Sequence, residues 1–270
     1  MADVQQNWTV MDIETVVDPL MVWTPPADKP DRMPPIPFHR VVLMTWATFY
    51  RSKDKVQFGQ LEYRMADPFG NREYAQHDPY DNDGEQGIIA QYQALRGSCT
   101  FVTWNGRGFD FPVMDMRAMR YGRGFSQQEN RYRPDRHKDL CDLFSSHGSC
   151  TKFSLDSTCQ MLGLPGKAGT TGADVETMLK EGQRREVLAY GMGDTVQTSL
   201  IWLTSLGLYS DMLTKVYNQT IDAYDKLLNE LKLAPSTIPR LAYNLERDDH
   251  FRPDIGYVPF EDQTHDDNDE

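Results

Sequence analysis

The chain opens on a run that reads as a buried strand, and two acidic residues interrupt it. Thr9-Val10-Met11-Asp12-Ile13-Glu14-Thr15 is apolar enough for a buried strand, predicted over residues 7 to 15. A strand repeats every two residues, so Asp12 and Glu14 share one face of it. Arg40 to Tyr50 (RVVLMTWATFY) is dense in β-branched and aromatic residues and predicts a second strand. Lys55 to Arg64 (KVQFGQLEYR) alternates and predicts its neighbour, joined through the short polar turn Ser52-Lys53-Asp54. Together they predict an antiparallel meander of three strands. Between the first and second, Pro25, Pro26, Pro30, Pro34, Pro35 and Pro37 exclude regular structure.

The second half changes period. Residues 77 to 87 (HDPYDNDGEQG) form an acidic loop. Asp81 and Asp83 before Gly84 faintly resemble a calcium loop, but the remaining ligand spacing is missing, and a solvated turn leading into a helix is expected. Gly87 to Leu95 predicts a short helix, Thr100 to Trp104 a strand, Asn105 to Gly108 a turn, and Phe109 to Tyr121 a helix. From about residue 137 the pattern is mostly helical, with one long helix over Arg184 to Leu206 and one or two more over Ser210 to Leu233. Leu213, Val216, Tyr217 and Ile221 form a stripe expected to pack on the domain or on a partner helix. The closing FEDQTHDDNDE is acidic and aromatic-poor, which predicts disorder. Strands, then a strand-helix unit, then helices predict an α/β layer. The expected division is a domain over residues 1 to 206, a helical extension over 207 to 255 and an acidic tail over 256 to 270.

Composition narrows the function. The 270 residues carry a formal net charge of -12, with 39% hydrophobic and 25% charged residues. That balance argues against a protein that coats nucleic acid, though not against an enzyme that grips one end of a strand. Cys99, Cys141, Cys150 and Cys159 include no C-x-x-C pair and suit a reducing compartment. A zinc site on His137, Cys141, His147 and Cys150 is conceivable, but their spacing fits no standard finger. No apolar run approaches the ~20 residues needed to span a bilayer, and no signal peptide is evident. A cytoplasmic protein without membrane contact is expected, in a prokaryote or a phage-infected cell.

Two more acids join the first pair. Asp110 ends WNGRGFDFP at a strand-to-helix turn, and Asp194 lies in AYGMGDT, four residues after Tyr190 and one helical turn from it. Four carboxylates cannot share a site without cations, and all-oxygen ligands suit Mg²⁺ or Mn²⁺. Two such ions about 3.5–4 Å apart form the arrangement that activates water and stabilises the leaving oxygen in phosphodiester cleavage. Read singly, each acid has a plainer role. Asp12 and Glu14 could line a solvated edge strand, Asp110 could favour a helix dipole, and Tyr190 could be a packed core tyrosine.

Here the chain resembles the DEDD 3′-5′ exonucleases, which have a ribonuclease-H-like fold. Asp12-Ile13-Glu14 matches their D-x-E, Asn105 to Asp110 (NGRGFD) their N-x-x-x-F-D, and Tyr190 to Asp194 (YGMGD) their Y-x-x-x-D. The whole pattern, including HKDLCDLF and SLDSTCQMLGLPGK, is similar to stand-alone exonucleases related to the proofreading domain of family B DNA polymerases. The resemblance covers about residues 7 to 206. It implies a mixed sheet with antiparallel first three strands, flanked by helices. It implies that Asp12 bridges two ions, that Glu14 and Asp194 complete one, and that Asp110 holds the other. In the tyrosine type, Tyr190 orients the attacking water, and position 189, where a His would fall in the sister group, is Ala. Thr15, Asn105 and Phe109 would contact the terminal nucleotides. The expected partner is single-stranded DNA or a DNA 3′ end, with a replication or repair protein conceivable. The third motif departs from the relatives, which usually have Tyr-Cys, in carrying Gly191 and Gly193 around Met192. Each glycine costs a helix about 1 kcal/mol relative to Ala.

Arg117, Arg120, Arg123, Arg131, Arg133, Arg136 and Lys138 stand against only Glu129 and Asp135. Beside a nuclease site they predict a strip that holds phosphates, Arg131, Arg133 and Arg136 above all, with Tyr121, Phe125 and Tyr132 stacking on bases. A solvated helix face is the plainer alternative. Two other activities remain open at this point: an RNA 3′-5′ exonuclease, and an inactive module that binds DNA ends or a replication partner.

Overall fold

The computed structural model describes residues 6–29, 32–52, 55–66, 68, 84–124, 136–167, 169, 171–206 and 211–241. Its sheet has five strands: β1 (Gln6–Val17), β2 (His39–Ser52), β3 (Lys55–Met65), β4 (Thr100–Thr103) and β5 (His137–Asp139), in the order β3-β2-β1-β4-β5. β1 pairs antiparallel with β2, and β2 with β3, while β4 runs parallel to β1 and β5 parallel to β4. This is the mixed sheet with three antiparallel strands first that the resemblance implies. The helices are α1 (Gly84–Arg96), α2 (Asp110–Arg120), α3 (Leu140–Phe144), α4 (Leu155–Met161), α5 (Val175–Lys180), α6 (Arg184–Ser205) and α7 (Asp211–Glu230).

The period of β1 divides the molecule. Met11 and Ile13 point to a core shared with Ile88, Ile89 and Tyr92 of α1 and Phe111 and Met114 of α2. Trp8 and Val10 point the other way, into the larger core with Val196, Leu200 and Trp202 of α6. Trp8 stacks on Trp202 with ring centroids 5.3 Å apart. Asp12 and Glu14 continue the Trp8–Val10 face, so they meet α6. The stripe Leu213, Val216, Tyr217 and Ile221 of α7 is buried in that same core.

β5 differs from the sequence reading, which ran into helices from residue 137. Three residues are too few to show a period, and this strand exists because it pairs with β4, where His137 Nε2 meets Thr103 Oγ1 at 2.8 Å. Helix α7 is one element, not two. Asp81, Asp83 and the rest of residues 77–83, residues 242–255 and the tail 256–270 lie outside the described residues. No helix among the described residues is long and apolar enough to cross a membrane.

Candidate active site

Glu14 follows Asp12 by two strand positions, and the β1–β2 register shifts between Glu14 and Thr15. Opposite Asp12 stands Thr45. Its hydroxyl donates to the Gly191 carbonyl of α6 at 3.1 Å and meets Thr195 Oγ1 at 2.7 Å. Those bonds fix α6 to the sheet one residue from Tyr190. The two glycines then have a physical account. A Cβ on Gly191 would lie 2.8 Å from Leu43 Cδ2 and 3.3 Å from Glu14 Cγ, and one on Gly193 would lie 3.0 Å from the Tyr224 hydroxyl. That hydroxyl donates to the Ala189 carbonyl at 2.9 Å, tying α7 to α6. The helix gives up intrinsic stability to approach β1 closely. As a result, carboxylate oxygens of Asp12, Glu14 and Asp194 lie within 4.8 Å of one another.

Asp110 begins α2 beside this group and is 4% exposed. Its Oδ1 is buried without a hydrogen-bond partner. Burial pushes its carboxyl up to about 7, Asp139 adds to the rise, and amide hydrogen bonds, including one from Ile13, oppose it. Asp12 is held well above the carboxylate range by burial first, then by Asp110, Glu14 and Asp194. Glu14 is raised by burial and by Asp194. Burial also raises Asp194, against the pull of Lys167. Such a set resists ionisation until a cation arrives.

Among the described residues, Lys167 is the cation that stands against these acids, and sequence reasoning missed it. Its Nζ donates to the Tyr190 oxygen at 2.6 Å and lies 3.1 Å from Asp194 Oδ2. The Tyr190 hydroxyl also hydrogen-bonds Asp194. The loop that carries Lys167 is fixed on both sides. The Lys167 amide donates to Asp156 Oδ1 at 2.7 Å, and the Gly166 amide donates to Gln197 Oε1 at 2.8 Å. Gly166 has φ +68 and a Cβ there would collide with Asp156, so the turn requires glycine. Burial raises the Tyr190 phenol, with Asp194 and Glu14 adding, so it stays protonated. The only sequence signal for Lys167 is its place at the end of SLDSTCQMLGLPGK.

The other expected contacts fall around the same end of the sheet, with exceptions. Asn105 leaves β4 at φ 58, a left-handed conformation that Asn tolerates. Its amide and that of Arg107 both donate to Asp139, at 3.0 and 2.9 Å, and its side-chain oxygen accepts from Lys152 Nζ at 2.9 Å. Thr15 and Phe109 share His39, a residue the sequence did not single out. His39 Nε2 meets the Pro34 carbonyl at 2.9 Å, so that nitrogen carries the proton, and Nδ1 accepts from the Thr15 hydroxyl at 2.8 Å. The ring stands edge-on to Phe109 with centroids 5.0 Å apart. The Pro-rich segment thus holds His39 in place.

The basic strip is not one surface. Arg117 is 4% exposed and binds Asp18 and Glu85, and Tyr121 donates to Glu85 at 2.6 Å. Both are structural, not free for DNA. Arg131 and Arg133, with Phe125 and Tyr132, lie outside the described residues. Arg136 is exposed and its carbonyl accepts from the Phe101 amide, at the level of Thr9 in the parallel sheet. It is two strands from β1 and roughly 10 Å short of Asp12 along the strands. His137, Cys141, His147 and Cys150 do not assemble as a metal site. Among the described residues only Asp12, Glu14 and Asp194 form such a group, while His147 pairs with Asp142 at 2.9 Å and His137 with Thr103.

The model of a family described as predicted 3′-5′ exonucleases related to the exonuclease domain of PolB matches residues 33–238. That span begins beyond Asp12 and Glu14, which are placed by geometry alone, and includes the second and third motifs. Among solved structures, the family B DNA polymerase from the hyperthermophilic archaeon Pyrobaculum calidifontis is 16% identical over 84% of this chain, with a TM-score of 0.47. Product-bound exonuclease I is 13% identical over 73% of it, with a TM-score of 0.40. The zinc-bound form of the E. coli exonuclease I complex with single-stranded DNA is 14% identical over 76%, with a TM-score of 0.40. The chain spans 29% of the polymerase chain and 47% and 46% of the two exonuclease chains. No curated protein matches it. With three quarters of its length under one family model, the chain belongs to the family of predicted 3′-5′ exonucleases related to the exonuclease domain of PolB.

Proposed function

We propose that the chain is a 3′-5′ exonuclease that releases nucleoside 5′-monophosphates from single-stranded DNA, with two divalent cations, Mg²⁺ or Mn²⁺, in the carboxylate cluster. The observation that carries this reading is the cluster itself. Three carboxylates lie within reach of one ion, and a fourth buries an oxygen with no partner. Unpaired buried charge is costly, so hard cations fit this all-oxygen set. Asp12 would contact both ions, Glu14 and Asp194 one, and Asp110 the other. Bound there, the ions would stabilise charge on the phosphate and make a water more acidic.

The rest of the chemistry falls to the chain. Tyr190 keeps its proton and orients the attacking water by hydrogen bond. Lys167, donating to the Tyr190 oxygen, makes that phenol a stronger donor and offsets part of the negative charge beside Asp194. Thr15, Asn105 and Phe109 hold the terminal nucleotide, with His39 and Lys152 setting their positions. Residues 1 to 206 form the catalytic unit. The extension after it contributes by clamping α6 through Tyr224.

End-labelled oligonucleotides with Mg²⁺, Mn²⁺ or EDTA test the reading. It expects a ladder shortening from the 3′ end, monophosphate product and no cleavage in EDTA. Matched RNA gives the second arm, and faster cleavage of RNA would replace the DNA assignment. Tight end binding with no cleavage in either metal would identify a binding module instead.

A further inference from the structure

A second surface adjoins this site. Phe144 at the end of α3, Phe153 in the following loop and Met161 at the end of α4 are 36%, 39% and 69% exposed. With Leu162 and Ile201 they line an apolar groove of about 530 Å³. None of its lining residues is acidic, in a chain of net charge -12. The groove connects to the nucleotide contacts at one end. Trp104, where β4 ends, meets Phe144 edge-on with centroids 6.2 Å apart, and Lys152, next to Phe153, donates to Asn105 at 2.9 Å. On α6 the groove is lined by Ile201, Thr204 and Ser205. Thr204 is ten residues beyond Asp194, roughly 15 Å along the helix, so the groove lies a few nucleotides' length from the carboxylates.

We propose that this groove is a stacking subsite for the bases of a single strand on the 5′ side of the scissile phosphodiester. The proposal rests on the exonuclease reading and adds to it how an unpaired strand is chosen. Nucleobases are flat and apolar, and only an unpaired strand presents their faces. Exposed aromatic rings take any base, so they select single strands without reading sequence. Lys152 precedes Phe153 and reaches Asn105, where the phosphate backbone would pass from the groove. A peptide would also find apolar surface here. The lysine, the absence of carboxylates and the continuity with Asn105 favour a polyanion that carries bases.

The test uses the full chain with Phe153→Ala, Phe153→Tyr and Phe153→Leu. Each is assayed on single-stranded oligonucleotides of increasing length and on thymidine 5′-monophosphate p-nitrophenyl ester, which has no upstream base. Phe153→Ala should raise KM for long oligonucleotides roughly tenfold and leave ester hydrolysis unchanged. Tyr should restore KM and Leu should not, because stacking needs a ring. An unchanged KM, an equal loss on the ester, or full function with Leu would overturn the proposal. So would a dimer of the native chain that Phe153→Ala dissolves, since the groove would then belong to a second copy. Anisotropy of a labelled single strand in EDTA reads the groove apart from cleavage. If the native chain cleaves nothing yet loses strand affinity with Phe153→Ala, the exonuclease reading fails and the groove stands. If affinity is indifferent to Phe153, the groove fails whatever the chemistry.

Discussion

Two clusters of buried carboxylates among the described residues are treated in opposite ways. Below α2, Asp18 and Glu85 surround Arg117, with bonds of 2.7 Å to Asp18 and 2.6 Å to Glu85 Oε1. The Val41 amide, at 2.8 Å, and the Tyr121 hydroxyl complete Glu85, and the Leu20 amide completes Asp18. Burial alone would raise Asp18, yet the Leu20 amide and Arg117 hold it below the usual range. At the candidate active site, Asp12, Glu14, Asp110 and Asp194 have Lys167 among them, and each is raised, burial being the first cause. A satisfied cluster is structure. The second, kept in place by Thr45 and two glycines with one lysine against four acids, is the proposed cation site.

Exchanging residues between these two fates should separate them. The largest effect is expected for Asp12→Ala. Cleavage should fall at least about a thousandfold, over ~4 kcal/mol of barrier, while stability in EDTA stays equal or rises. More than a tenth of native rate would contradict the assignment of Asp12 to both ions. Arg117→Ala should do the reverse. It leaves two buried acids unpaired and should cost about 3–5 kcal/mol in denaturant unfolding, with the rate per folded molecule kept. A loss of activity without loss of stability would place Arg117 on the substrate after all.

The pH response gives a finer contrast. The folded Asp110 carboxyl titrates at about 7, above its ordinary 3.8. The folded chain therefore keeps a proton that the unfolded chain has lost between those values. Stability from this group is whole below about 4 and is lost as pH rises through about 7. In EDTA, Asp110→Asn should match the native chain near pH 4 and exceed it by roughly 2–4 kcal/mol at pH 8. Melting curves across that range check it, and an unchanged gap would show that Asp110 is not strained. The smallest effects belong to the donors. Tyr190→Phe should lower kcat by about 1–3 kcal/mol, with KM and Mn²⁺ affinity unchanged. Lys167→Met should lower it further, and the double variant should lose less than the sum, because the two share one hydrogen bond. Strict additivity would mean that Lys167 acts on Asp194 alone.

The same contrast explains what the sequence displays. Strands β1 to β3 are long and rich in β-branched and aromatic residues, and D-x-E and Y-x-x-x-D are spacings within one strand and one helix, so period alone brings their side chains together. Arg117 misleads for the opposite reason. Its partners Glu85 and Asp18 are 32 and 99 residues away, and a cation in a charged run reads the same whether buried or solvated. Lys167 and His39 have no periodic relation to the residues they position. They come into place only through a turn and a Pro-rich segment folded onto the sheet. β5 is too short to announce itself.

The central claim is that the unsatisfied cluster is a cation site, and calorimetric titration with Mn²⁺ tests it most directly. The native chain should bind two ions, and Asp12→Ala should bind neither with native affinity. No binding by the native chain, or unchanged binding by Asp12→Ala, would contradict the account.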